Sequence, residues 1–163
     1  MKDFDRALEI VLAQEGGYSD DARDPGGATM YGITERVARA NGYNGPMRAL
    51  PMSVASSIYW DRYWKAASCD ELPWPLSLYV FDCAVNQGVG AAIRLLQTAL
   101  DTVQDGVVGP TTLRLAREAG AWHQARFMAL RANRYVGTKQ FERFGTGWMI
   151  RLFEVVRAGE TAP

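Results

Sequence analysis

Residues 76–87 form a run in which nearly every side chain is apolar, and no other segment limits the fold as strongly. The run reads LSLYVFDCAVNQ, and Gly88 follows it as a residue type that commonly ends a helix. A helix that is apolar on all sides lies in the interior of a protein. The sequence therefore predicts a central buried helix that other elements surround.

The rest of the chain provides amphipathic helices to cover that centre. The first shows apolar residues at helical spacing, with Asp3 as its predicted N-cap and Gly16 at its end. Thr34 is the predicted N-cap of a short second helix, and Pro110 is predicted to begin a later one. Further helical patterns cover residues 53–67, 90–100, 111–119, 121–136 and 146–158.

Residues 18–32 interrupt this helical pattern. Their sequence, YSDDARDPGGATMYG, is dense in Asp, Gly and Pro, which favour turns and a small hairpin. A segment of this length without helical period is more often functional than a simple connection. We therefore expect a mainly α fold of seven or eight helices with one short β-hairpin or irregular loop after the first helix.

Composition and charge exclude several classes of protein. The chain has 163 residues, and a chain of this size buries on folding about 70% of the surface that its unfolded state exposes. It can therefore form a hydrophobic core without disulfides or metal ions. Its 18 basic and 18 acidic residues give a net charge of +0, which argues against bulk binding to nucleic acid. Cys69, Cys83 and His123 are too few for a zinc site, and we expect two buried, reduced thiols. We expect no metal and no cofactor.

The sequence also gives expectations about location and assembly. It has no apolar run of about 18 residues, so we expect no membrane insertion. The first residues carry acids and lead into an amphipathic pattern, unlike a secretory signal. We therefore expect synthesis in the cytoplasm without a signal peptide, with action elsewhere only after release, and a monomer.

Glu15 is the first candidate for chemistry. It lies on the last turn of the predicted first helix, where the negative end of the helix dipole favours the protonated carboxyl. A protonated carboxyl is what a general acid needs. The loop that follows carries Asp20, Asp21 and Asp24, and paired carboxylates about 5–9.5 Å apart carry out glycoside hydrolysis. The alternative is an ordinary surface Glu followed by Asp residues that form turns, which we favour for Asp20 and Asp21.

The motifs of this region resemble glycoside hydrolase family 108. The resemblance rests on the sequence E-G-G-Y at 15–18, followed by D-P-G-G-A-T at 24–29 and Y-G-I-T at 31–34. It continues at 63–64, 81–88, 96–97, 105–113 and 144–151, and so covers nearly the whole chain. Members of this family are N-acetylmuramidases, many of them phage endolysins. The resemblance implies a lysozyme-like fold, bacterial peptidoglycan as the substrate, and Glu15 as the catalytic acid.

The resemblance and the loop chemistry suggest roles for further residues. A looser similarity to phage lysozymes points to Asp24 and Thr29, with Asp24 either aiming a water molecule or anchoring the loop. Tyr18 and Tyr31 are the predicted aromatic lining of a substrate cleft. In the central helix, Asp82 and Asn86 lie one turn apart and either face the cleft or bond buried backbone. Gln87 lies at the helix end and is predicted to reach the same cleft.

An aromatic cluster and a basic group complete the candidate residues. Most of the four aromatic residues at 59, 60, 63 and 64 are expected in the core, with one or two lining the cleft. The basic residues at 131, 134, 139 and 143 are a predicted basic face toward an anionic wall.

The organisation predicted from these patterns is a lysozyme-like catalytic half, residues 1–89, and a helical half, residues 90–163. Both halves are expected to pack as one body. The resemblance implies peptidoglycan binding by the second half. Its L-Q, D-G and G-P-x-T motifs are also explained by a purely structural role, as a helix, a glycine turn and the start of the next helix. The leading function is a muramidase. The alternatives are a lytic transglycosylase and a non-catalytic wall-binding or secretion-assisting protein.

Overall fold

The computed structural model describes residues 2–20 and 27–161, and helices dominate these ranges. The helices are α1 Lys2–Gln14, α2 Glu35–Ala40, α3 Met52–Tyr59, α4 Leu76–Gln87, α5 Val89–Ala99, α6 Pro110–Glu118, α7 Ala121–Val136 and α8 Phe141–Glu160. Two strands, β1 Thr29–Met30 and β2 Ile33–Thr34, pair antiparallel in a hairpin. Shorter 3-10 turns cover Met47–Ala49 and Cys69–Glu71, and a π-helical segment covers Trp60–Lys65. The prediction of a mainly α protein with a hairpin after the first helix is confirmed.

Helix α4 lies at the centre of the structure, as its composition predicts. Every residue from Leu76 to Ala84 is buried. Helices α1, α5, α7 and α8 all pack against α4. Because α4 contacts helices from both ends of the chain, a polar residue within it lies where several elements meet.

Predicted helix ends agree with the structure at three positions. The Thr34 hydroxyl accepts a hydrogen bond from the Val37 N–H and so caps α2. Gly88 is the single residue between α4 and α5. Its φ of +92° is a backbone conformation that favours glycine. Pro110 begins α6.

Three helix predictions were wrong in detail. Asp3 lies inside the first turn of α1 instead of capping it, because the helix already includes Lys2. The helix predicted for 53–67 changes from α to π geometry after Tyr59. Helix α8 begins at Phe141 and not at Thr146, and it continues through Gly145. A Cβ at Gly145 would lie 2.7 Å from the Phe141 ring, so this glycine permits close packing and does not end the helix.

Aromatic rings join the first helix to the centre. The Phe4 ring lies 4.9 Å from the Trp60 ring and 5.4 Å from the Trp64 ring, and the Trp64 ring lies 5.3 Å from the Phe81 ring. Tyr59 and Trp64 are buried, whereas the other two aromatic residues of the cluster are partly exposed, so half of the cluster and not most of it is fully in the core.

The core draws on both predicted halves of the chain. Its buried apolar residues form one cluster that runs from Phe4 to Val155. Cys69 and Cys83 belong to this cluster and are free thiols, as predicted. The division into two halves at residue 89 stays a prediction of the sequence. The described helices include none with the length and apolar character that a membrane crossing requires.

Candidate active site

Glu15 directly follows the end of α1. Its backbone N–H donates to the Leu12 carbonyl at 3.2 Å, so the chain continues the helical path for one residue beyond Gln14. The sequence placed Glu15 on the last turn, and the structure places it just after that turn. Its side chain is 21% exposed, which leaves a carboxylate that a ligand can reach.

The hairpin turn lies directly against the Glu15 carboxylate. Tyr31 and Gly32 connect β1 to β2 and have φ values of +53° and +71°, the positive values that a tight two-residue hairpin turn requires. A Cβ on Gly32 would lie 2.8 Å from Glu15 Oε2 and 2.9 Å from the Tyr59 hydroxyl. Only a residue without a side chain therefore fits between the turn, the carboxylate and the phenol.

Tyr59 fixes the hairpin turn from the core side. Its hydroxyl donates to the Tyr31 carbonyl at 2.8 Å. Burial, and then the negative charge of Glu15, raise the pKa of Tyr59 above its usual range. The phenol therefore keeps its proton and acts as a hydrogen-bond donor that holds the turn beside Glu15.

Arg151 of α8 binds the other oxygen of Glu15. Its Nη1 donates to Glu15 Oε1 at 2.9 Å. Its Nε donates to Asp82 Oδ1 at 2.9 Å, and its Nη2 lies 2.8 Å from the same oxygen without a hydrogen-bonding angle. One guanidinium thus connects the carboxylate at the end of α1 to the carboxylate inside α4.

Asp82 is also bound by Arg131 of α7. Arg131 Nη2 donates to Asp82 Oδ2 at 2.6 Å, and both side chains are fully buried. Burial by itself raises the pKa of Asp82, but the charges of Arg131 and Arg151 and their hydrogen bonds outweigh it and lower the pKa below its usual range. Asp82 therefore remains a carboxylate in the core. We call Glu15, Arg151, Asp82 and Arg131 the charge network.

The other predicted catalytic residues have different positions. Asp24 lies outside the described residues. Thr29 begins β1, and its backbone exchanges two hydrogen bonds with Ser19, with N···O distances of 2.7 and 2.9 Å. Tyr18 donates from its hydroxyl to Asp20 at 3.0 Å, and the Arg48 guanidinium lies 4.0 Å from the centre of its ring. The structure thus brings Tyr31 to Glu15 through the hairpin turn, whereas Tyr18 contacts Asp20 and Arg48.

The two predicted binding residues at the end of α4 both contact α7. The Tyr135 hydroxyl donates to the Asn86 side-chain carbonyl. The Gln87 amide donates to the Arg131 carbonyl at 3.2 Å, and its own carbonyl accepts from the Cys83 thiol. Gln87 is therefore engaged in packing, whereas Asn86 is exposed and keeps its amide nitrogen for other partners.

The sequence did not identify Arg131, Arg151 or Tyr59 as site residues. Arg131 was assigned to an exposed basic face, and this assignment was wrong because Arg131 is 0% exposed and paired with Asp82. The signal that could have found the pair was Asp82 itself, since a carboxylate in the middle of a buried, mostly apolar helix needs a buried cationic partner. The other three basic residues of that face, at 134, 139 and 143, are exposed.

The Q…D-G motif of the second half maintains a turn. Gln97 is 1% exposed and donates to Asp105 at 2.6 Å and to the Val107 carbonyl at 3.0 Å. Its carbonyl accepts from the Gly106 N–H at 2.9 Å. These bonds hold the turn before α6 in place, which agrees with the structural interpretation of this motif as a turn between two helices.

The fold and the partly exposed Glu15 carboxylate indicate a class of protein. A central helix, a surrounding helical layer and a hairpin that packs against a Glu at the end of the first helix make a lysozyme-like fold, and the chain is a glycoside hydrolase. The sequence model described as Glycosyl hydrolase 108 matches residues 8–88, which include Glu15, the hairpin and α4. The chain belongs to glycosyl hydrolase family 108.

A solved structure is similar to nearly the whole chain. The structure of Brucella abortus SagA matches with a TM-score of 0.82 and 33% sequence identity, covering 96% of this chain and 94% of SagA. None of the curated protein sequences matches. The chain is a peptidoglycan-hydrolysing enzyme, as the sequence predicted.

We expect Asp82→Asn to destabilise the fold by about 3–5 kcal/mol at pH 7, because it leaves two buried guanidinium groups without their anion. Asp70→Asn is the control, since Asp70 forms a surface pair with Lys65 and the expected effect is about 0–1 kcal/mol. Urea unfolding measures both values.

The destabilisation by Asp82→Asn depends on pH in a defined direction. A carboxylate whose folded pKa is lowered stabilises the fold fully above its unfolded pKa, about 3.9, and loses that contribution as the pH falls through the folded value. The difference between wild type and Asp82→Asn should therefore be constant from pH 7 to about 5 and shrink below about pH 4. A difference that stays constant into strong acid contradicts the charged state of Asp82.

Proposed function

We propose that the enzyme hydrolyses the β-1,4 bond between N-acetylmuramic acid and N-acetylglucosamine, with Glu15 as the general acid. The observation that supports this role most strongly is the geometry of the carboxylate. Its Oε1 is bound by Arg151, while the side chain stays 21% exposed at the hairpin. Proton transfer to a leaving oxygen requires a carboxyl that is both held and reachable.

The proposed step moves one proton and breaks one bond. Because Oε1 accepts from Arg151, the catalytic proton is carried on Oε2. It passes to the glycosidic oxygen as the bond between that oxygen and C1 of the sugar breaks. A water molecule then supplies the new oxygen at C1, and its proton passes to a carboxylate. We assign that last role to Asp24, whose spacing from Glu15 matches phage lysozymes, and the positioning of the water to Thr29, which lies one residue closer to Asp24 than in that pattern.

The charge network supports this mechanism through positioning. Arg151 is held by Asp82, which is held in turn by Arg131, so the hydrogen bond to Glu15 comes from a group with little freedom. Tyr59 restricts the turn on the opposite side. A carboxyl that is held in place loses little motional freedom on reaching the transition state, which is a general source of rate acceleration.

Tyr18 and Tyr31 are the residues to which we assign contact with the sugar chain on the hairpin side. Both are partly exposed, and the Arg48 guanidinium restricts the Tyr18 ring. Rings held in this way suit the apolar C–H faces of sugars. We further propose an endolysin-type role, with the enzyme released from the cytoplasm and acting at the wall as a monomer, because its substrate lies outside the cell membrane.

We expect Glu15→Gln to reduce digestion of purified peptidoglycan by about 10²-fold or more, because the amide cannot transfer the proton. Glu9→Gln is the matched control, since Glu9 is an exposed carboxylate on α1, and it should digest at the wild-type rate. Mass spectrometry of the products should find reducing N-acetylmuramic acid ends.

Two results would contradict this proposal in different ways. Full digestion by Glu15→Gln would remove Glu15 as the acid. Anhydro-sugar ends from wild type would identify a lytic transglycosylase, in which an oxygen of the sugar itself replaces the attacking water.

We expect Gly32→Ala to reduce the rate of digestion by about tenfold or more, because its Cβ would displace the Glu15 carboxylate. Gly42→Ala is the control, since Gly42 also has a positive φ, +86°, but has open space around its Cβ position. Backbone strain should cost Gly42→Ala about 1–2 kcal/mol of stability, and Gly32→Ala should lose more because its Cβ also meets Glu15 and Tyr59. Only Gly32→Ala should lose activity while folded. Equal activity of the two folded variants would show that the turn does not shape the site.

A further inference from the structure

A second layer of side chains lies one helical turn from the charge network. Asn86 follows Asp82 by four residues on α4, Tyr135 follows Arg131 by four on α7, and Trp148 precedes Arg151 by three on α8. One helical turn advances about 5.4 Å, so on each helix the backbone of this layer lies about that far from the charge-network residue of the same helix. The repeat on three helices follows from their packing around a common centre.

In the second layer Tyr135 is buried, whereas Trp148 and Asn86 are accessible to solvent. The Tyr135 ring stacks on the Trp148 ring with centroids 4.7 Å apart and an interplanar angle of 20°. Tyr135 is 4% exposed and donates its hydroxyl hydrogen to the Asn86 carbonyl, whereas Trp148 is partly exposed and Asn86 is exposed. Phe144, at 43% exposure, lies one turn further along α8 with its ring 6.0 Å from Trp148.

This arrangement determines what the Asn86 side chain can offer. A side-chain amide has one acceptor oxygen and two N–H donors on its nitrogen. Because the Tyr135 hydroxyl donates to the oxygen, the amide orientation is set, and the nitrogen is the group that remains for a ligand. In the described part of the chain, the Asn86 nitrogen donates to no other group.

We propose that Asn86, Trp148 and Tyr135 form a binding subsite for an N-acetylated sugar ring of the glycan strand, next to the ring that is cleaved at Glu15. The Trp148 ring supplies an aromatic surface for the C–H face of the sugar, and the Asn86 nitrogen donates to the carbonyl of its acetamido group. Tyr135 is a positioning residue that orients both. The assignment rests on the proposed function and on Arg151, which binds Glu15 and lies three residues from Trp148 on α8, so that a glycan strand cleaved at Glu15 can continue over this layer.

The ligand class follows from the chemistry of the layer. A rigid aromatic surface beside a neutral amide donor matches a group that is apolar on one face and carries a carbonyl acceptor. An N-acetylated sugar has both features, whereas glucose lacks the acetamido carbonyl. The subsite should therefore distinguish N-acetylglucosamine oligomers from glucose oligomers.

The test measures binding separately from cleavage. Calorimetric titration uses the full-length Glu15→Gln protein with a tetramer of N-acetylglucosamine or a tetramer of glucose. Adding Trp148→Ala should weaken binding of the N-acetylated tetramer by about tenfold or more. Adding Trp122→Ala instead is the control, since Trp122 is 63% exposed on α7, and this change should leave binding unaltered.

A second variant tests the polar contact at Asn86, an exposed position. Asn86→Asp keeps an oxygen acceptor for the Tyr135 hydroxyl and removes the N–H donors. We expect it to weaken binding of the N-acetylated tetramer by about tenfold and to leave binding of the glucose tetramer unchanged.

The outcomes separate this assignment from the proposed function. Equal affinities for the Trp148→Ala and Trp122→Ala proteins, or an unchanged preference in Asn86→Asp, would overturn the subsite. Digestion by Glu15→Gln at the wild-type rate would overturn the acid assignment and leave the affinity comparison valid.

Discussion

The buried Asp82 carboxylate is the group on which the rest of the structure depends. It lies inside the central helix and binds Arg131 of α7 and Arg151 of α8. Arg151 also binds Glu15 at the end of α1. Removing charges from water is costly, and the cost is offset only while every partner is present. These ion pairs therefore hold α1, α4, α7 and α8 in place relative to one another, and they orient the Glu15 carboxylate toward the hairpin.

The hairpin supplies the second boundary of the site. Its turn approaches Glu15 closely because Gly32 has no side chain, and the Tyr59 hydroxyl holds the Tyr31 carbonyl from the core. The carboxylate therefore lies between a guanidinium anchored in the helical core and a backbone turn anchored by a phenol. A carboxylate that is bounded on two sides, and still 21% exposed, fits the role of general acid that we propose for Glu15.

The sequence predicts the local features well and the long-range pairings poorly. Apolar periodicity identifies α4 as the centre, and glycine chemistry predicts the end of α4 at Gly88. The ion pairs of Asp82 join residues 49 and 69 positions away, and no local pattern reports such distances. Arg131 illustrates the difficulty, because its charge suggests the surface until its partner inside α4 is recognised. The place of Asn86 on α4 is compatible with the cleft or with a structural role, and its fixed amide orientation depends on Tyr135, which only the fold brings near.

The most direct test of this account is the steady-state kinetics of Arg151→Met on soluble peptidoglycan fragments. Arg157→Met is the control on the same helix, because the Arg157 side chain is 76% exposed and pairs only with Glu154 in the described part of the chain. With folding verified by circular dichroism, the account predicts that Arg151→Met lowers kcat by about 10²-fold with little change in KM, because Glu15 remains present but is no longer held. A folded Arg151→Met protein with the kcat of the control would contradict the claim that the charge network positions the catalytic acid.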